Sequence, residues 1–119
     1  MRYARLFADD SGESHFDDIE IEFTASDYVQ SAPPLDFSVT FPASQVAFMR
    51  APPGWASDFH VSSARNMFVV LSGEWEVTAS DGESRRFAAG AALLVEDTTG
   101  KGHSSHVVSD TESVAVVVL

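Results

Sequence analysis

Short strand-forming runs recur along the chain between turn-forming residues, and hydrophobic spacing of the helical type is almost absent. The run DIEIEF at 18–23 alternates apolar and acidic residues, so it is expected to place Ile19, Ile21 and Phe23 on one inward face of a strand. Alternating or β-branched runs spaced roughly eight to twelve residues apart are typical of an all-β sandwich or barrel. The pattern therefore predicts a chain made almost entirely of strands.

The other predicted strands are apolar or β-branched segments bounded by turn-forming residues, and they cover residues 3–7, 36–41, 45–50, 58–62, 66–71, 74–79, 85–87, 92–96, 103–108 and 114–119. Asp81 and Gly82 form the clearest hairpin turn, because an Asp-Gly pair accepts the positive φ angles that a tight turn needs. The final run, VAVVVL, is uncharged and would promote aggregation at an exposed sheet edge. We expect it to be a central strand, the alternative being a dimer interface.

Charge and composition exclude several classes of function. Seven Lys and Arg against 18 Asp and Glu give a formal net charge of −11, which disfavours nucleic acid and anionic membrane surfaces as partners. Cysteine is absent, which excludes disulfides, thiolate metal ligands and cysteine nucleophiles. No apolar run approaches the ~20 residues that cross a bilayer, and Asp9, Asp10 and Glu13 lie where a signal peptide would be apolar. We therefore expect a single cytoplasmic domain over residues 1–119.

The segment from Gly54 to Gly73 reads GWASDFHVSSARNMFVVLSG and spaces its polar residues in a defined way. The first glycine is followed by five residues, His60, one residue, Ser62, three residues, Asn66, six residues and the second glycine. This spacing resembles the first signature of the cupin superfamily, in which a second His stands at the position of Ser62 and a Glu at that of Asn66. Of the three metal ligands in that signature, the chain retains one.

A second, distorted signature runs from Gly90 to Val107. The cupin pattern here is Gly, five residues, Pro-x-Gly, two residues, His, three residues and Asn. Glu96 follows Gly90 after five residues, where the pattern has Pro, and His103 follows Gly100 after two residues. A two-residue insertion separates these halves, and Val107 stands where Asn is usual.

The resemblance to cupins implies an antiparallel jelly-roll barrel, also described as a double-stranded β-helix. Residues 1–50 would then supply the N-terminal strands, and the two signature segments would line the barrel. The stretch EDTTGKGH at 96–103 looks like a subgroup of small single-domain bacterial cupins. The expected partners are a small organic molecule and a second copy of the chain, since the extended N-terminal segment and the apolar C-terminal run suit a homodimer.

Strand alternation indicates which polar residues share the barrel interior, because residues two apart lie on one face. His60 and Ser62 share a face, Asn66 shares a face with the apolar residues that follow it, and His103 shares one with residues 105 and 107. In a cupin barrel these four side chains converge. His106 is three residues from His103 and is expected to point outward.

Two imidazoles in one cavity suit proton transfer, because imidazole titrates near neutral pH. The leading hypothesis is a metal-independent isomerase, lyase or cyclase in which His60 and His103 are acid and base, while Ser62 and Asn66 bind substrate. One alternative is a metal-dependent dioxygenase or lyase that holds an ion with His60, His103 and Asn66, although metals normally take three or more protein ligands. The other alternative is a non-catalytic ligand-binding module. The leading hypothesis requires no cofactor.

Other residues receive roles next to the cavity. Phe59 and Phe68 are predicted to contact the substrate. Glu96 is also predicted to lie at the site, where it would bind substrate, orient His103 or act as a base. In the structural alternative, Glu96 and Asp97 both cap the loop that follows them.

Positions are also expected for four more residues. Trp55 is an additional aromatic candidate for the cavity, while Trp75 is expected in the core or in an interface. Lys101, the only lysine, faces either solvent or an anionic group of the substrate. His15 is expected at the surface or in a dimer contact.

Overall fold

The computed structural model describes residues 1–119, which form strands and turns and no helix. The strands are β1 (Arg2–Ala8), β2 (Ser14–Glu20), β3 (Thr24–Ser26), β4 (Leu35–Phe37), β5 (Val46–Ala51), β6 (Asn66–Ser72), β7 (Glu74–Ala79), β8 (Ser84–Ala88), β9 (Ala92–Val95), β10 (His103–Val107) and β11 (Ser113–Val118). The all-β prediction is confirmed. The structure has no helix long and apolar enough to span a bilayer.

Two facing sheets form the body of the molecule. The larger sheet has the order β2-β1-β9-β6-β11-β5, and the smaller has the order β10-β7-β8. Strand pairing is antiparallel throughout except between β1 and β9, which run parallel with Ala4 opposite Leu93 and Leu6 opposite Val95. The predicted antiparallel jelly roll is therefore observed with one parallel pair in its larger sheet.

The uncharged C-terminal run lies inside the larger sheet, as predicted. Strand β11 pairs with β6 on one side and with β5 on the other, so its backbone groups are used on both sides. The sheet ends instead at β5, where Val46 and Phe48 are 65% and 76% exposed. This free edge is the aggregation-prone position that β11 avoids.

The core fills the space between the two sheets. Fourteen buried apolar residues form one cluster, and Leu6, Ala79 and Ala115 in it have no exposed surface. Along β7 the alternate residues Trp75 and Val77 face inward with Ala79. Burying one large aliphatic side chain contributes about 1.5–3 kcal/mol, so this cluster fixes the sandwich and the walls of the cavity within it.

The predicted strand at 18–23 is displaced toward the N-terminus. The turn after β1 is short, so β2 begins pairing at Ser14 and its ladder ends where Glu20 meets Arg2. One further backbone hydrogen bond follows, from the amide of Ile21 to the carbonyl of Met1 at 2.9 Å. Phe23 consequently lies beyond β2 and is 52% exposed. Ile19 and Ile21 are an odd number of residues from Phe16, which is buried in the core, so they lie on the outer side of the larger sheet. The expectation that these three residues face inward is wrong.

Two other predicted strands are reduced. Of residues 36–41, only the first two lie in strand β4, which pairs with β3. The segment 58–62 is not a strand, because the neighbouring β10 pairs with this part of the chain only at isolated bridges, from Ala56 to His106 and from His60 to His103. Both segments contain strand-forming residues but have no continuous partner.

Residues 23–45 form an N-terminal arm that extends from the sandwich. Strands β3 and β4 pair only with each other, and the arm exposes several large apolar side chains, among them Tyr28, Leu35, Phe37 and Val39. The radius of gyration is 15.6 Å, whereas compact chains of this length have about 13–14 Å. The arm therefore exposes apolar surface outside the core between the two sheets, while its Phe41 packs edge-on against Tyr3 with ring centroids 6.1 Å apart.

A polar clamp joins the β1–β2 turn to the β7–β8 turn. His15 contacts Asp9 through Nε2 at 2.6 Å and Asp81 through Nδ1 at 2.9 Å. The hydrogen bond to Asp9, together with that to Asp81, raises the pKa of His15 above its ordinary value. Hydrogen bonds from Ser11 and then from His15 lower the pKa of Asp9. The clamp therefore holds His15 between two carboxylates that favour its protonated form.

We expect the stabilisation from this clamp to depend on pH. The folded-state pKa of His15 lies above the unfolded value of 6.5, so the contribution is complete below that value and is lost as the pH rises through the folded pKa. The difference in melting temperature between the wild type and His15→Gln should therefore be largest below the unfolded pKa of 6.5 and decrease as the pH rises above it. His106→Gln, at an exposed position, is the control. A difference that stays constant with pH contradicts a charged clamp.

Candidate functional site

A backbone bridge brings the ring of the exposed His60 next to the ring of the buried His103. The amide of each residue donates to the carbonyl of the other, both at 2.9 Å. Directly opposed residues of an antiparallel pair project their side chains to the same side. The two ring centroids are accordingly 4.8 Å apart, with His103 only 7% exposed and His60 more open to solvent.

Gly102 makes this bridge possible. Its φ is +75°, and a Cβ at this position would lie 2.1 Å from the carbonyl oxygen of His60. The loop before it is fixed to the β1–β2 turn and the start of β2, since the hydroxyl of Ser14 donates to the Gly102 carbonyl at 2.7 Å and the amide of Lys101 donates to the Gly12 carbonyl at 2.8 Å. The loop therefore delivers His103 to a set position.

Asp97 holds the buried imidazole. Its Oδ2 accepts from Nδ1 of His103 at 2.5 Å, its side chain has no exposed surface, and its Oδ1 has no partner. Alternation places Asp97 on the face of Leu93 and Val95, which line the cavity, so it continues an inward-facing row behind His103. The carboxylate that orients His103 is therefore Asp97.

Glu96 does not lie at the cavity, which corrects the role predicted for it. It is one residue out of phase with the inward row and accepts from the Nε atoms of Arg5 at 2.5 Å and Arg65 at 2.8 Å. Partial burial alone would raise the pKa of Glu96, but the hydrogen bonds from Arg5 and Arg65 outweigh that effect and lower it. Glu96 is a structural ion-pair partner.

The hydrogen bonds of the two imidazoles determine their tautomers. Nδ1 of His60 lies 3.0 Å from the carbonyl oxygen of Val61, which can only accept, and Nδ1 of His103 faces the carboxylate of Asp97. Both Nδ1 atoms therefore carry a proton. In the neutral rings, both Nε2 atoms are left as lone-pair acceptors beside the cavity.

Ser62 and Asn66 lie at the same end of the cavity and bond to each other. The amide nitrogen of Asn66 donates to Ser62 Oγ at 3.2 Å and to the carbonyl of Ala64 at 3.0 Å. Ser62 Oγ donates to the same carbonyl at 2.7 Å. The structure thus brings together four predicted site residues, His60, Ser62, Asn66 and His103, all of which line one cavity.

The cavity has a volume of about 550 Å³ and 17 lining residues, of which 10 are hydrophobic. Its aromatic wall consists of Trp55, Phe68 and Trp75, with centroid distances of 5.6 Å between the two indoles and 5.5 Å between Phe68 and Trp75. Trp75 is both a core residue and part of this wall. Phe59 is 52% exposed and does not line the cavity, because it precedes His60 and projects the opposite way; its predicted substrate contact is wrong.

The donor set does not fit a resident metal ion of the usual kind. No group of three or more His, Cys, Asp or Glu side chains is close enough together to hold one. His60 and His103 are the two imidazoles present, and the remaining polar groups near them are a hydroxyl and an amide already bonded to each other. Three or more protein ligands are the norm for such sites.

The remaining candidates lie outside the cavity. Lys101 is paired with Glu13 at 2.6 Å, and this hydrogen bond raises the pKa of Lys101. It is therefore occupied within the fold rather than directed at a substrate. His106 is exposed and outside the cavity lining, as alternation predicts.

Comparison with known proteins places the fold. No protein-family model and no curated protein matches the chain. Among solved structures, the cupin domain of Schizosaccharomyces pombe Cnp3 aligns with a TM-score of 0.53 at 14% identity, over 99% of this chain and 81% of that one. Drosophila melanogaster CENP-C bound to CAL1 aligns with a TM-score of 0.51 at 16% identity, over 82% of this chain and 78% of that one.

A Rhizobium leguminosarum protein of unknown function also aligns, with a TM-score of 0.51 and 19% identity. The alignment covers 61% of this chain and 66% of the other. At these identities the likeness concerns the fold alone. The chain has the cupin fold.

We expect Gly102→Ala to disturb the His60–His103 bridge. Both Gly102 and Gly90 have positive φ angles, of +75° and +91°, but a Cβ at Gly90 meets nothing within 4 Å. The difference between the two variants therefore isolates the collision with the His60 carbonyl, which should cost about 1–3 kcal/mol beyond the shared conformational strain. Chemical denaturation measures the free energies, and histidine NMR resonances report the ring pair. Equal losses in the two variants would contradict the role assigned to Gly102.

Proposed function

We propose that the chain is a small-molecule-binding cupin whose cavity carries out metal-independent proton transfer, as in an isomerase, lyase or cyclase. The observation that carries the proposal is the Asp97–His103 pair. A fully buried carboxylate at 2.5 Å from Nδ1 leaves Nε2 as the free nitrogen of a ring that lines an apolar cavity. This arrangement is that of a general base with its orienting group.

In the proposed mechanism, Nε2 of His103 accepts a proton from the bound molecule. Asp97 keeps the ring in the required tautomer and stabilises the imidazolium that forms. His60 is the more exposed of the two rings and so exchanges protons with solvent. In its protonated form it returns a proton to another atom of the same molecule, which completes an isomerisation or assists a leaving group.

A non-catalytic binding module is the second candidate, and the composition of the cavity favours it. Ten of the 17 lining residues are hydrophobic, and the amide nitrogen of Asn66 is already hydrogen-bonded to Ser62 Oγ. Such a pocket binds a ligand largely by burial of apolar surface. We also propose a cytoplasmic location for either version.

Proton transfer can be tested without knowing the natural substrate. Small ketones and hydroxyketones are incubated with the protein in D2O, and NMR follows exchange of the hydrogens next to the carbonyl. We expect the wild type to catalyse exchange for at least one compound, and His103→Gln and Asp97→Asn to reduce the rate by about a hundredfold or more. Glu96→Gln, which alters the neighbouring carboxylate outside the cavity, is the matched control and should retain the rate.

Two outcomes separate the candidates. Saturable binding of a panel compound without exchange in the wild type rejects catalysis and supports the binding module. Exchange that persists in both His103→Gln and Asp97→Asn rejects the Asp97–His103 pair as the base.

We also propose that two copies of the chain form a homodimer through the free edge of β5 and the N-terminal arm. Val46 and Phe48 are exposed on an edge strand whose backbone is unpaired on its outer side, and an edge strand can pair antiparallel with its own two-fold copy. The exposed apolar side chains of the arm would add hydrophobic surface to this interface. A second copy of this surface is self-complementary in both hydrogen bonding and hydrophobicity.

Sedimentation tests the dimer. We expect the wild type to sediment as a dimer at micromolar concentration, and Phe48→Lys to sediment as a monomer because a charge would be buried in the interface. Phe59→Lys replaces another exposed phenylalanine, on the segment beside β10, and should leave the dimer intact. A monomeric wild type contradicts the proposal.

A further inference from the structure

We infer that the cavity takes an uncharged, flat ring molecule with an ionisable hydroxyl group, such as a phenol or a ring enol, and that this hydroxyl donates to the imidazole pair. The inference rests on the proposed function only in taking the cavity as the binding site. It adds the chemical class of the ligand, and it is carried by three features of the lining.

The first feature is the hydrogen-bonding character of the imidazoles. Nδ1–H of His60 donates to the carbonyl of Val61, and Nδ1–H of His103 donates to the carboxylate of Asp97. In the neutral rings, both Nε2 atoms therefore present lone pairs. A lone pair is satisfied only by a donor. With both rings neutral, a ligand that fills the cavity satisfies these acceptors only if it brings an O–H or N–H group, and an ether or a ketone alone would leave them unpaired at a cost in affinity.

The second feature is charge. Only His60, His103 and Arg50 among the 17 lining residues are ionisable, and no carboxylate side chain lines the cavity. Along β5 the cavity-facing residues are Met49 and Ala51, so the side chain of Arg50 projects to the opposite face, where its Nε lies 3.8 Å from Glu112. The cavity thus has no permanently charged side chain that could pair with a carboxylate or an ammonium group of a ligand.

The third feature is the shape and chemistry of the wall. Trp55, Phe68 and Trp75 make edge-to-face contacts, with interplanar angles of 66° and 89° in the two pairs. Exposed edges and faces of this kind bind flat rings by offset stacking or edge contacts. A volume of about 550 Å³ accommodates a molecule of one or two fused rings with substituents.

A hydroxyl of this class also gives the pair a proton to move. The O–H proton passes to Nε2 of His103, the electron pair of the broken bond stays on the ligand oxygen, and the resulting imidazolium lies between Asp97 and the new oxyanion. A hydroxyl on a saturated carbon is too weak an acid for this step, whereas the oxyanion of a phenol or an enol is stabilised by delocalisation. The chemistry of the pair therefore selects the same ligand class as its hydrogen bonding.

Four probes with one ring system test the inference by titration calorimetry: 2-naphthol, 2-methoxynaphthalene, 2-naphthoate and 2-naphthylmethylammonium. We expect 2-naphthol to bind about tenfold or more tightly than the methyl ether, because only 2-naphthol donates to Nε2. The two charged probes should bind more weakly than 2-naphthol. His60→Phe, at the more exposed ring, and His103→Phe should each reduce the preference for the hydroxyl, while Phe59→Ala, outside the cavity, should retain it.

Equal affinities for 2-naphthol and its methyl ether overturn the donor argument, and strongest binding of the carboxylate or the ammonium overturns the charge argument. Should His103→Phe fail to fold, His60→Phe still decides the role of the imidazoles. Failure of the proposed function has a different signature. If 2-naphthol binds selectively and none of the tested carbonyl compounds exchanges its hydrogens, the ligand class is supported and catalysis is rejected.

Discussion

The pairing of Asp97 with His103 is the interaction on which the interior of this molecule depends. A carboxylate without exposed surface needs a partner, and Asp97 has one side-chain contact, since its second oxygen is unpaired. Removing His103 would leave that carboxylate buried alone, a situation that costs about 3–5 kcal/mol. The loop between the two residues is accordingly fixed by Ser14 and Gly12, and Gly102 permits the close crossing beside His60.

Much of the fold follows from the sequence because period-two alternation and turn residues are local properties. The hairpin at Asp81 and Gly82 and the central position of β11 are of this kind, and both are predictable. The failures share a different origin. Residues 18–23 and 58–62 have strand-forming composition, but whether they pair depends on where the neighbouring strand ends, which is a tertiary property. The strand predicted at 36–41, in the N-terminal arm, is shortened for the same reason.

The site divides in a similar way. Signature spacing and alternation together place His60, Ser62, Asn66 and His103 in one cavity, because both arguments concern relative positions along strands. The role of Asp97 was missed, although the signal was present. Leu93, Val95 and residue 97 share a face, so carrying the alternation two residues past the strand end selects Asp97 over Glu96. The pairing of Glu96 with Arg5 involves residues far apart in sequence, and no local pattern encodes it.

The hydrogen-bonded pair of Ser62 and Asn66 explains how a barrel with the cupin fold comes to leave the Nε2 atoms of two imidazoles without a partner. At the positions where the resemblance has a second histidine and a glutamate, Ser62 and Asn66 form a hydrogen bond with each other and share the carbonyl of Ala64. Neither brings a charge or a strong ligand, so nothing at this end of the cavity compensates an ion or competes for the Nε2 lone pairs. The Nε2 atoms of the two imidazoles are then available as acceptors, and in the ligand class that we infer the hydroxyl donates to them.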